Sequence, residues 1–440
     1  MSSVKSRLSA MMFFQYAVWG IWLPVLATYL QSPEVEGGLG FTSGQVGWII
    51  GIAASLGAVS APFIAGQFAD RYFSTEKFLS VLLLFGGIVK FVLSFQTSFS
   101  TWLMLSVLYS VLYMPTLSLT NSMAFAHLKN IDTEWPRVRV MGTFGWIAAS
   151  WLFPMIWLQS NLEFQALPPF FVGTEVADAT SRLGDTLKVS GIISILYAFY
   201  CMALPNTPPN KEAPAKLAFM KAFSLLSKKS FAVLVLASLP IAIIHQIYFM
   251  QTGPFLENQL GLLVTYIAPA MTVGQFAEIA VMAILGVFIA RFGFRRTIAI
   301  GAFAYFARYL IWGLISLQEP SGPSVDASGQ FLWTIPLIIG IFSQLLHGVC
   351  YACFFASAYM YVDKIADGDI RNSAQTVFGI IILGLGPMLA APLLGLLANI
   401  FGDAGVVTDF AGMWLSLAAI ALITSAVFFV AFTEEAESSI

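Results

Sequence analysis

A glutamine and a glutamate three residues apart, Gln275 and Glu278, lie within a long apolar stretch in the second half of the chain. Because an α-helix repeats about every 3.6 residues, the two side chains share one face, and Glu278 lies near mid-membrane if the stretch spans a bilayer. A carboxylate at that depth is costly to bury, and intramembrane acids commonly serve proton relays or substrate sites. Glu278 is therefore a candidate proton carrier. The alternative is a protonated structural acid that is hydrogen-bonded to a neighbouring helix.

Membrane-spanning helices are the elements that must position this pair. Of the 440 residues, 58% are hydrophobic and 10% are charged, whereas roughly 25% of a soluble domain is charged. The mean hydropathy is +0.82. Continuous apolar runs of about 20 residues predict helical spans rather than barrel strands, which alternate in polarity. The predicted fold class is an all-α integral membrane protein with twelve transmembrane helices, at 8–30, 46–68, 77–97, 101–127, 139–159, 188–205, 231–251, 266–290, 297–317, 332–361, 374–399 and 411–432.

Lysine and arginine are unevenly distributed between the loops. If the amino terminus is cytoplasmic, most of the 21 Lys and Arg residues fall on the cytoplasmic side, and the opposite loops hold only Arg182 and Lys188. Cytoplasmic loops carry the excess of positive charge. The asymmetry predicts a multi-pass protein of the cytoplasmic membrane, embedded in the lipid bilayer with both termini inside.

A Pro-rich, basic segment after the sixth predicted span divides the chain into two six-helix halves. We predict an amino-terminal half at 1–205, a cytoplasmic linker at 206–230, a carboxy-terminal half at 231–432 and a cytoplasmic tail at 433–440. Within the linker, 217–223 is typical of a short amphipathic helix on the membrane surface.

The two halves share one short motif at equivalent places. Gly66, Asp70 and Arg71 follow the second span and match the Gly-x-x-x-Asp-Arg signature of the major facilitator superfamily. Gly286 and Arg291 follow the eighth span and keep the pattern except for Asp, which is replaced by Ala. Glycine permits close helix approach, and an Asp–Arg pair can lock the cytoplasmic ends of the halves in one state. These residues are therefore predicted to contribute to gating.

Other polar side chains within the spans suggest a ligand site. Arg139, Thr143 and Trp146 share one helical face, which offers a cation, a hydroxyl and a stacking surface. Amides flanked by aromatic rings suit a ligand made of a sugar and a base, although each could instead join neighbouring helices. The remaining candidates are Gln15, Trp19, Trp22, Asn121, His245, Gln246, Gln251 and Gln275.

Two cations also lie inside predicted spans. Lys90 is near the outer end of its span, and we expect its amine to reach the headgroups. Arg308 lies near mid-span and needs an acceptor. Glu278 is the only carboxylate placed inside a span, so an ion pair between Arg308 and Glu278 competes with the proton-carrier hypothesis.

An enzyme is not expected. No phosphate-binding Gly-x-x-x-x-Gly-Lys-Ser/Thr motif occurs. His347, Cys350 and Cys353 share a face, but no fourth metal ligand is evident, so they are interpreted as packing residues. We predict no metal, no cofactor and no nucleic-acid partner, with a proton gradient as the driving force; the oligomeric state is not predicted.

The chain resembles the nucleoside:proton symporter family, a branch of the major facilitator superfamily, over essentially its whole length. The segments that carry the resemblance are Phe14–Leu23, Tyr113–Asn121, Pro136–Gly145, Gln275–Glu278 and Arg371–Gln375.

The resemblance implies a central cavity that binds a nucleoside. Two positions depart from the family pattern: Phe249 stands where relatives have Asn, and Tyr351 is followed by Ala352 where they have Asp. The missing Asp removes a second candidate protonation site. The substrate-binding residues that the resemblance implies, with Phe249 and Tyr351 added at the departing positions, are Arg139, Thr143, Trp146, Gln246, Phe249, Gln275, Glu278 and Tyr351.

Together these observations predict a transporter that moves a nucleoside with protons by rocking one half against the other around a site at mid-membrane. Three alternatives remain open: transport of another polar solute such as a sugar or nucleobase, uncoupled facilitation with Glu278 tied to Arg308, and a non-transporting sensor with the same fold.

Overall fold

The structure, a computed structural model, is a mostly helical protein with two small β-hairpins. The linker helix expected at 217–223 falls almost entirely outside the described residues. Side chains are not described at 63, 131–133, 223–224 and 371–373. The structure describes residues 4–65, 72–166, 168–208, 223–326, 330–366 and 371–434.

The amino-terminal half contains long helices and one hairpin. Its elements are α1 (Val4–Gly20), α2 (Leu23–Gln31), α3 (Ser43–Gly47), α4 (Ala53–Phe63), α5 (Thr75–Leu93), α6 (Phe99–His127), α7 (Ile131–Trp157), β1 (Gln159–Phe164), β2 (Phe171–Glu175), α8 (Ala179–Arg182) and α9 (Asp185–Cys201), with a 3₁₀ turn at Glu34–Glu36.

The carboxy-terminal half begins with a 3₁₀ turn at Phe223–Ser227. Its elements are α10 (Lys229–Pro254), α11 (Val264–Ile315), α12 (Ile335–Phe342), α13 (Leu345–Val349), α14 (Ser357–Ile365), α15 (Arg371–Gly379), α16 (Gly386–Ile400), β3 (Gly402–Asp403), β4 (Val406–Val407) and α17 (Phe410–Ala431).

Within the described residues, each of the twelve predicted spans overlaps helical structure. Nine segments there are long and apolar enough to cross a membrane. One of them, α11, has 52 residues and is broken at Gly293 (φ 74°, ψ 171°), so it holds the eighth and ninth predicted spans. The third corresponds to α5, whose 19 residues include three charged ones, and the sixth to α9, which has 17 residues.

Four π-helical segments lie wholly within the described residues; three of them join helices, and Phe255–Gln259 follows the end of α10. In a π-helix each backbone N–H bonds to the carbonyl five residues earlier, rather than four as in an α-helix. Such turns occur frequently at functional sites. They are Trp48–Ile52, Phe255–Gln259, Cys350–Ala356 and Ile380–Leu385.

The two halves pack closely along α3 to α4 and α15 to α16. The hydroxyl of Ser55 donates a hydrogen bond to the carbonyl of Gly384 at 2.7 Å. A Cβ added at Gly51 would lie 2.5 Å from the carbonyl oxygen of Pro387, so glycine is required for this approach.

Hydrogen bonds join the halves at the end of the molecule opposite the chain termini. Gln31 accepts from Gln251 at 3.3 Å and donates to the carbonyl of Met250 at 3.3 Å. Tyr266 donates to Gln159 of the unpredicted β1–β2 hairpin at 3.2 Å. This end of the molecule is therefore closed.

Glu175, the last residue of that hairpin, forms the polar contact at the start of α11. Its carboxylate accepts from the backbone N–H of Thr265 at 2.8 Å and from the Thr265 hydroxyl at 2.6 Å. Burial raises the pKa of Glu175, although these hydrogen bonds act in the opposite direction. The carboxyl group is thus easier to protonate in the closed arrangement than in water.

Closure at this end should depend on pH through Glu175. Protonation of Glu175 contributes to the stability of the closed arrangement. This contribution is fully present below the ordinary glutamate pKa of about 4.3 and is lost as the pH rises through the raised pKa. In Glu175→Gln, which stays neutral, the end should remain closed at about pH 5 and about pH 8. Val35 and Leu317 are exposed, and spin labels on cysteines introduced there would report the distance between the two halves at this end.

The three native cysteines are buried, so labelling should be confined to the introduced sites. Glu319→Gln, in an exposed loop, is the matched control and should keep the wild-type pH response. An identical pH response in Glu175→Gln would contradict a role for this carboxyl group.

Candidate functional site

A cavity of about 310 Å³ lies between the two halves. Side chains from both halves line it, and its volume is at the lower end of the range for small-molecule sites. All eight of the residues predicted to bind substrate line this cavity: Arg139, Thr143, Trp146, Gln246, Phe249, Gln275, Glu278 and Tyr351.

Glu278 and Arg139 face the cavity from opposite halves. The Arg139 guanidinium lies 4.3 Å from the centre of the Tyr16 ring. Its charge acts on Glu278, and both charges act on Tyr351. Within the described residues neither side chain forms an ion pair closer than 4.0 Å. The carboxyl group and the guanidinium therefore face the same cavity without forming an ion pair.

Close helix packing holds Glu278 in place. A Cβ added at Gly348 in α13 would lie 2.4 Å from the backbone nitrogen of Glu278, and one added at Gly274 would lie 2.9 Å from His347. Glycine on each side lets α11 and α13 touch through backbone atoms. The acid is thus carried on a rigid pair of helices.

Two glutamine side chains beside Glu278 carry polar atoms that have few hydrogen-bond partners in the protein. The side-chain oxygen of Gln275 is buried without a hydrogen-bond partner. Gln246 donates only a long bond of 3.4 Å, to the carbonyl of Ile50. Because unpaired buried polar atoms are costly, these amides are suited to bind a polar ligand.

Aromatic rings form the wall on the amino-terminal side. Trp19 packs edge-on against Trp146, with ring centres 5.6 Å apart, and against Tyr113 at 5.9 Å. Rings of this kind offer flat apolar surfaces for stacking a heterocycle. Across the cavity, Phe249 packs against His245 at 5.3 Å.

Other polar candidates hold helices together instead. Gln15 donates to Thr116 at 2.7 Å, which links α1 to α6. Gln251 donates to Gln31 across the halves. Asn121 does not line the cavity, and its side-chain oxygen is buried without a partner. The alternative of interhelical contacts therefore applies to Gln15 and Gln251.

The alternative in which Arg308 forms an ion pair with Glu278 is wrong. Arg308 is fully buried and donates to Nδ1 of His347 at 2.8 Å and to the Tyr309 hydroxyl at 3.1 Å. Its guanidinium also lies 4.3 Å from the centre of the Tyr248 ring. Neutral acceptors and aromatic faces replace the counter-ion, so Glu278 is not tied to this arginine.

The same contact bears on the metal hypothesis. Nδ1 of His347 must act as an acceptor for Arg308, which removes that nitrogen as a metal ligand. Cys350 and Cys353 are buried. Across the described parts of the chain, no cluster of His, Cys, Asp or Glu side chains could hold a metal ion.

The expectation that Lys90 reaches the headgroups is also wrong. Its side chain is only 2% exposed and lines the cavity. Its amine lies 3.4 Å from the centre of the Trp22 ring and 3.8 Å from that of Tyr109. Such contacts contribute about 2 kcal/mol each, less than the several kcal/mol needed to bury an ammonium group.

The structure describes only some of the residues that are predicted to contribute to gating. Gly66, Asp70 and Arg71 lie outside the described residues, so the predicted lock stays a prediction. Arg291 is exposed, with its guanidinium 5.5 Å from the Phe292 ring. A Cβ added at Gly286 would meet no atom within 4 Å, so the close approach expected there is absent in this conformation.

Sequence reasoning missed Tyr16 and Tyr109 in the cavity wall. Their neighbours Gln15 and Trp19 were identified, and Tyr16 lies inside a segment that resembles the family. Tyr109 carries no comparable signal, because tyrosines are common on packed helical faces.

The sequence was compared with known families. The nucleoside H⁺ symporter family model matches residues 1–437. The chain belongs to this family. The resemblance predicted from the sequence is therefore confirmed. The chain is a multi-pass membrane protein of a transporter family.

Individual relatives match over nearly the full length. The putative nucleoside transporter YegT of Escherichia coli K12 is 31% identical over 445 residues, covering 99% of this chain and 95% of the relative. The xanthosine permease of the same strain is 26% identical, with 98% and 96% covered.

A crystal structure of the nucleoside transporter NupG superimposes with a TM-score of 0.79 at 21% identity, covering 99% of this chain and 100% of NupG. This match shows the fold, which is that of the major facilitator superfamily.

The packing beside Glu278 can be tested with two alanine variants on glycines. Gly348→Ala places a methyl group against the Glu278 backbone and should destabilise the protein by about 1–3 kcal/mol. Gly286→Ala, on the same helix as Glu278, meets open space and should have little effect. Thermal unfolding of the purified variants measures both, and equal midpoints would contradict the close packing.

Proposed function

We propose that this protein takes up a nucleoside together with protons across the cytoplasmic membrane by alternating access. The observation that carries the proposal is a cavity in which both halves place polar and aromatic side chains around the carboxyl group of Glu278. Membership of the nucleoside H⁺ symporter family supports the same substrate class and coupling ion.

Substrate recognition is divided between the two halves. Trp146 and Trp19 offer ring surfaces for the base, while Arg139 supplies a cation with several donors. The amides of Gln246 and Gln275 donate and accept, as hydroxyl groups of a ribose and the edge of a base require. A ligand that touches both walls is bound best when the halves are close together.

Proton coupling rests on Glu278. In this proposal a proton from the outside neutralises Glu278, substrate binds, and the halves rock so that the cavity opens to the cytoplasm. Release of substrate and proton then resets the carrier.

The hydrogen bonds at the end opposite the termini serve as the outer gate. With both termini inside, this end faces the exterior, and Gln31, Gln251, Glu175 and Thr265 close the path from outside. The structure then corresponds to a state shut towards the exterior. Breaking these few contacts is required for substrate to enter.

Glu278→Gln should abolish accumulation driven by a pH gradient while retaining exchange of labelled nucleoside. The amide keeps the shape of the side chain but cannot carry a proton. Uptake into proteoliposomes, with and without an imposed pH gradient, measures both activities. The control is Glu319→Gln in an exposed loop, and gradient-driven accumulation by Glu278→Gln at the wild-type level would contradict the mechanism.

Trp146→Ala should weaken nucleoside binding about tenfold or more, because stacking of a base on an aromatic ring contributes about 1–3 kcal/mol. Isothermal titration with nucleosides, nucleobases and sugars measures the loss and the substrate class together. Phe249→Ala, on the opposite wall, tests whether the effect is local. Preferential binding of sugars or nucleobases would favour the alternative solutes, and binding without transport would favour a sensor.

A further inference from the structure

Three side chains from separate parts of the chain form one part of the cavity wall. Lys90 comes from α5, Trp22 precedes α2 and Tyr109 belongs to α6. The ring centres of Trp22 and Tyr109 are 6.0 Å apart with an interplanar angle of 80°, and the Lys90 amine lies over both faces. We call these residues the Lys90 cluster.

The Lys90 cluster presents donors without acceptors. The side chain of Lys90 is 2% exposed. Within the described residues its amine has no hydrogen bond or ion pair. The indole N–H of Trp22 and the hydroxyl of Tyr109 are near each other, but neither forms a well-oriented hydrogen bond. An unsatisfied ammonium and an indole N–H both require an acceptor from outside the protein.

The basic groups of the cavity wall point in the same direction. Among the described lining residues, Lys90 and Arg139 are the basic side chains besides two histidines, and Glu278 is the acid. Arg308 adds a further basic group behind His347. If Glu278 is protonated during transport, the wall keeps no negative charge that could hold the Lys90 amine in its charged form, which favours a ligand that brings one.

We propose that the Lys90 cluster is a subsite for a negatively charged edge of the nucleoside base, so that the transporter prefers anionic nucleosides. This inference rests on the proposed nucleoside transport and deepens it. A phosphate group is a poorer match, because its charge of roughly −2 exceeds the single positive charge that Lys90 can provide.

The placement of the cluster fits one ligand spanning the site. Lys90 is three residues from the end of α5, on the side towards the closed end of the molecule. Arg139 lies in the first part of α7, nearer the end that holds the termini. A base reaching Lys90 with its charged edge leaves the ribose near Arg139 and Glu278.

Two pairs of probes test the preference: inosine with xanthosine, whose base is largely anionic at neutral pH, and uridine with orotidine, whose base carries a carboxylate. The purified wild-type protein should bind the anionic member of each pair about tenfold more tightly. In Lys90→Met that preference should vanish, while affinity for inosine and uridine changes by less than about twofold. Lys90→Arg should retain part of the preference.

Lys188→Met is the matched control, because Lys188 is held by Asp185 in an ion pair of 2.6 Å and does not line the cavity. It should leave all four affinities unchanged. Thermal unfolding adds a second readout: removing a buried charge without a counter-ion should keep or raise the midpoint for Lys90→Met, whereas a purely structural lysine would lower it.

Each outcome decides between the two proposals. Equal loss of neutral and anionic nucleosides in Lys90→Met, or an unchanged preference, overturns the subsite and leaves nucleoside transport standing. A wild-type protein that binds none of the four probes overturns nucleoside transport and the subsite with it. If Lys90→Met fails to fold, Lys90→Gln is titrated with the same probes and judged by the same criteria.

Discussion

The cost of placing charge where water cannot reach it is the constraint on which this structure depends. The buried Arg308 and Lys90 and the partly buried Glu278 are accommodated differently. Arg308 uses His347 and surrounding aromatic rings, Lys90 uses two ring faces, and Glu278 has no ion pair within the described residues. The better a charge is satisfied by the protein, the less it can do for a ligand. Arg308 therefore stabilises the carboxy-terminal half, whereas Glu278 and Lys90 are left available at the cavity.

This division of roles depends on how the halves meet. Glycines bring helices together through their backbones, at Gly51 between the halves and at Gly348 within one of them. Within the described residues, most hydrogen bonds across the halves lie near one end, where neutral amides are shared between Gln31 and Gln251. Contacts between neutral groups are weak enough to be exchanged in the proposed cycle. Each half would then move as a rigid piece that carries its own pocket residues.

Much of the fold and part of the site could be predicted from the sequence. Apolar runs are long enough to locate helices within a few residues, and the spacing of Arg139, Thr143 and Trp146 places them on one face that does line the cavity. Glu278 was identifiable because an acid within an apolar run is rare. These inferences need only local periodicity.

The errors have a common physical cause. Lys90 can point towards headgroups or inwards from the same position, and only the rings of Trp22 and Tyr109, on other helices, decide which. For Arg308, charge alone suggested a carboxylate, while the actual acceptor is a histidine in another helix. Contacts made between distant parts of the chain are invisible to local patterns. The Glu175 hairpin was missed for the same reason.

The π-helical segment Cys350–Ala356 has a consequence for Tyr351, which lies within it and lines the cavity. In a π-helix each backbone N–H bonds to the carbonyl five residues earlier rather than four, so the residues are spaced differently around the helix axis. One residue more or less turns the following side chains by about 100° in an α-helix. The π segment therefore decides which side chain this helix presents to the cavity, and here that side chain is the ring of Tyr351.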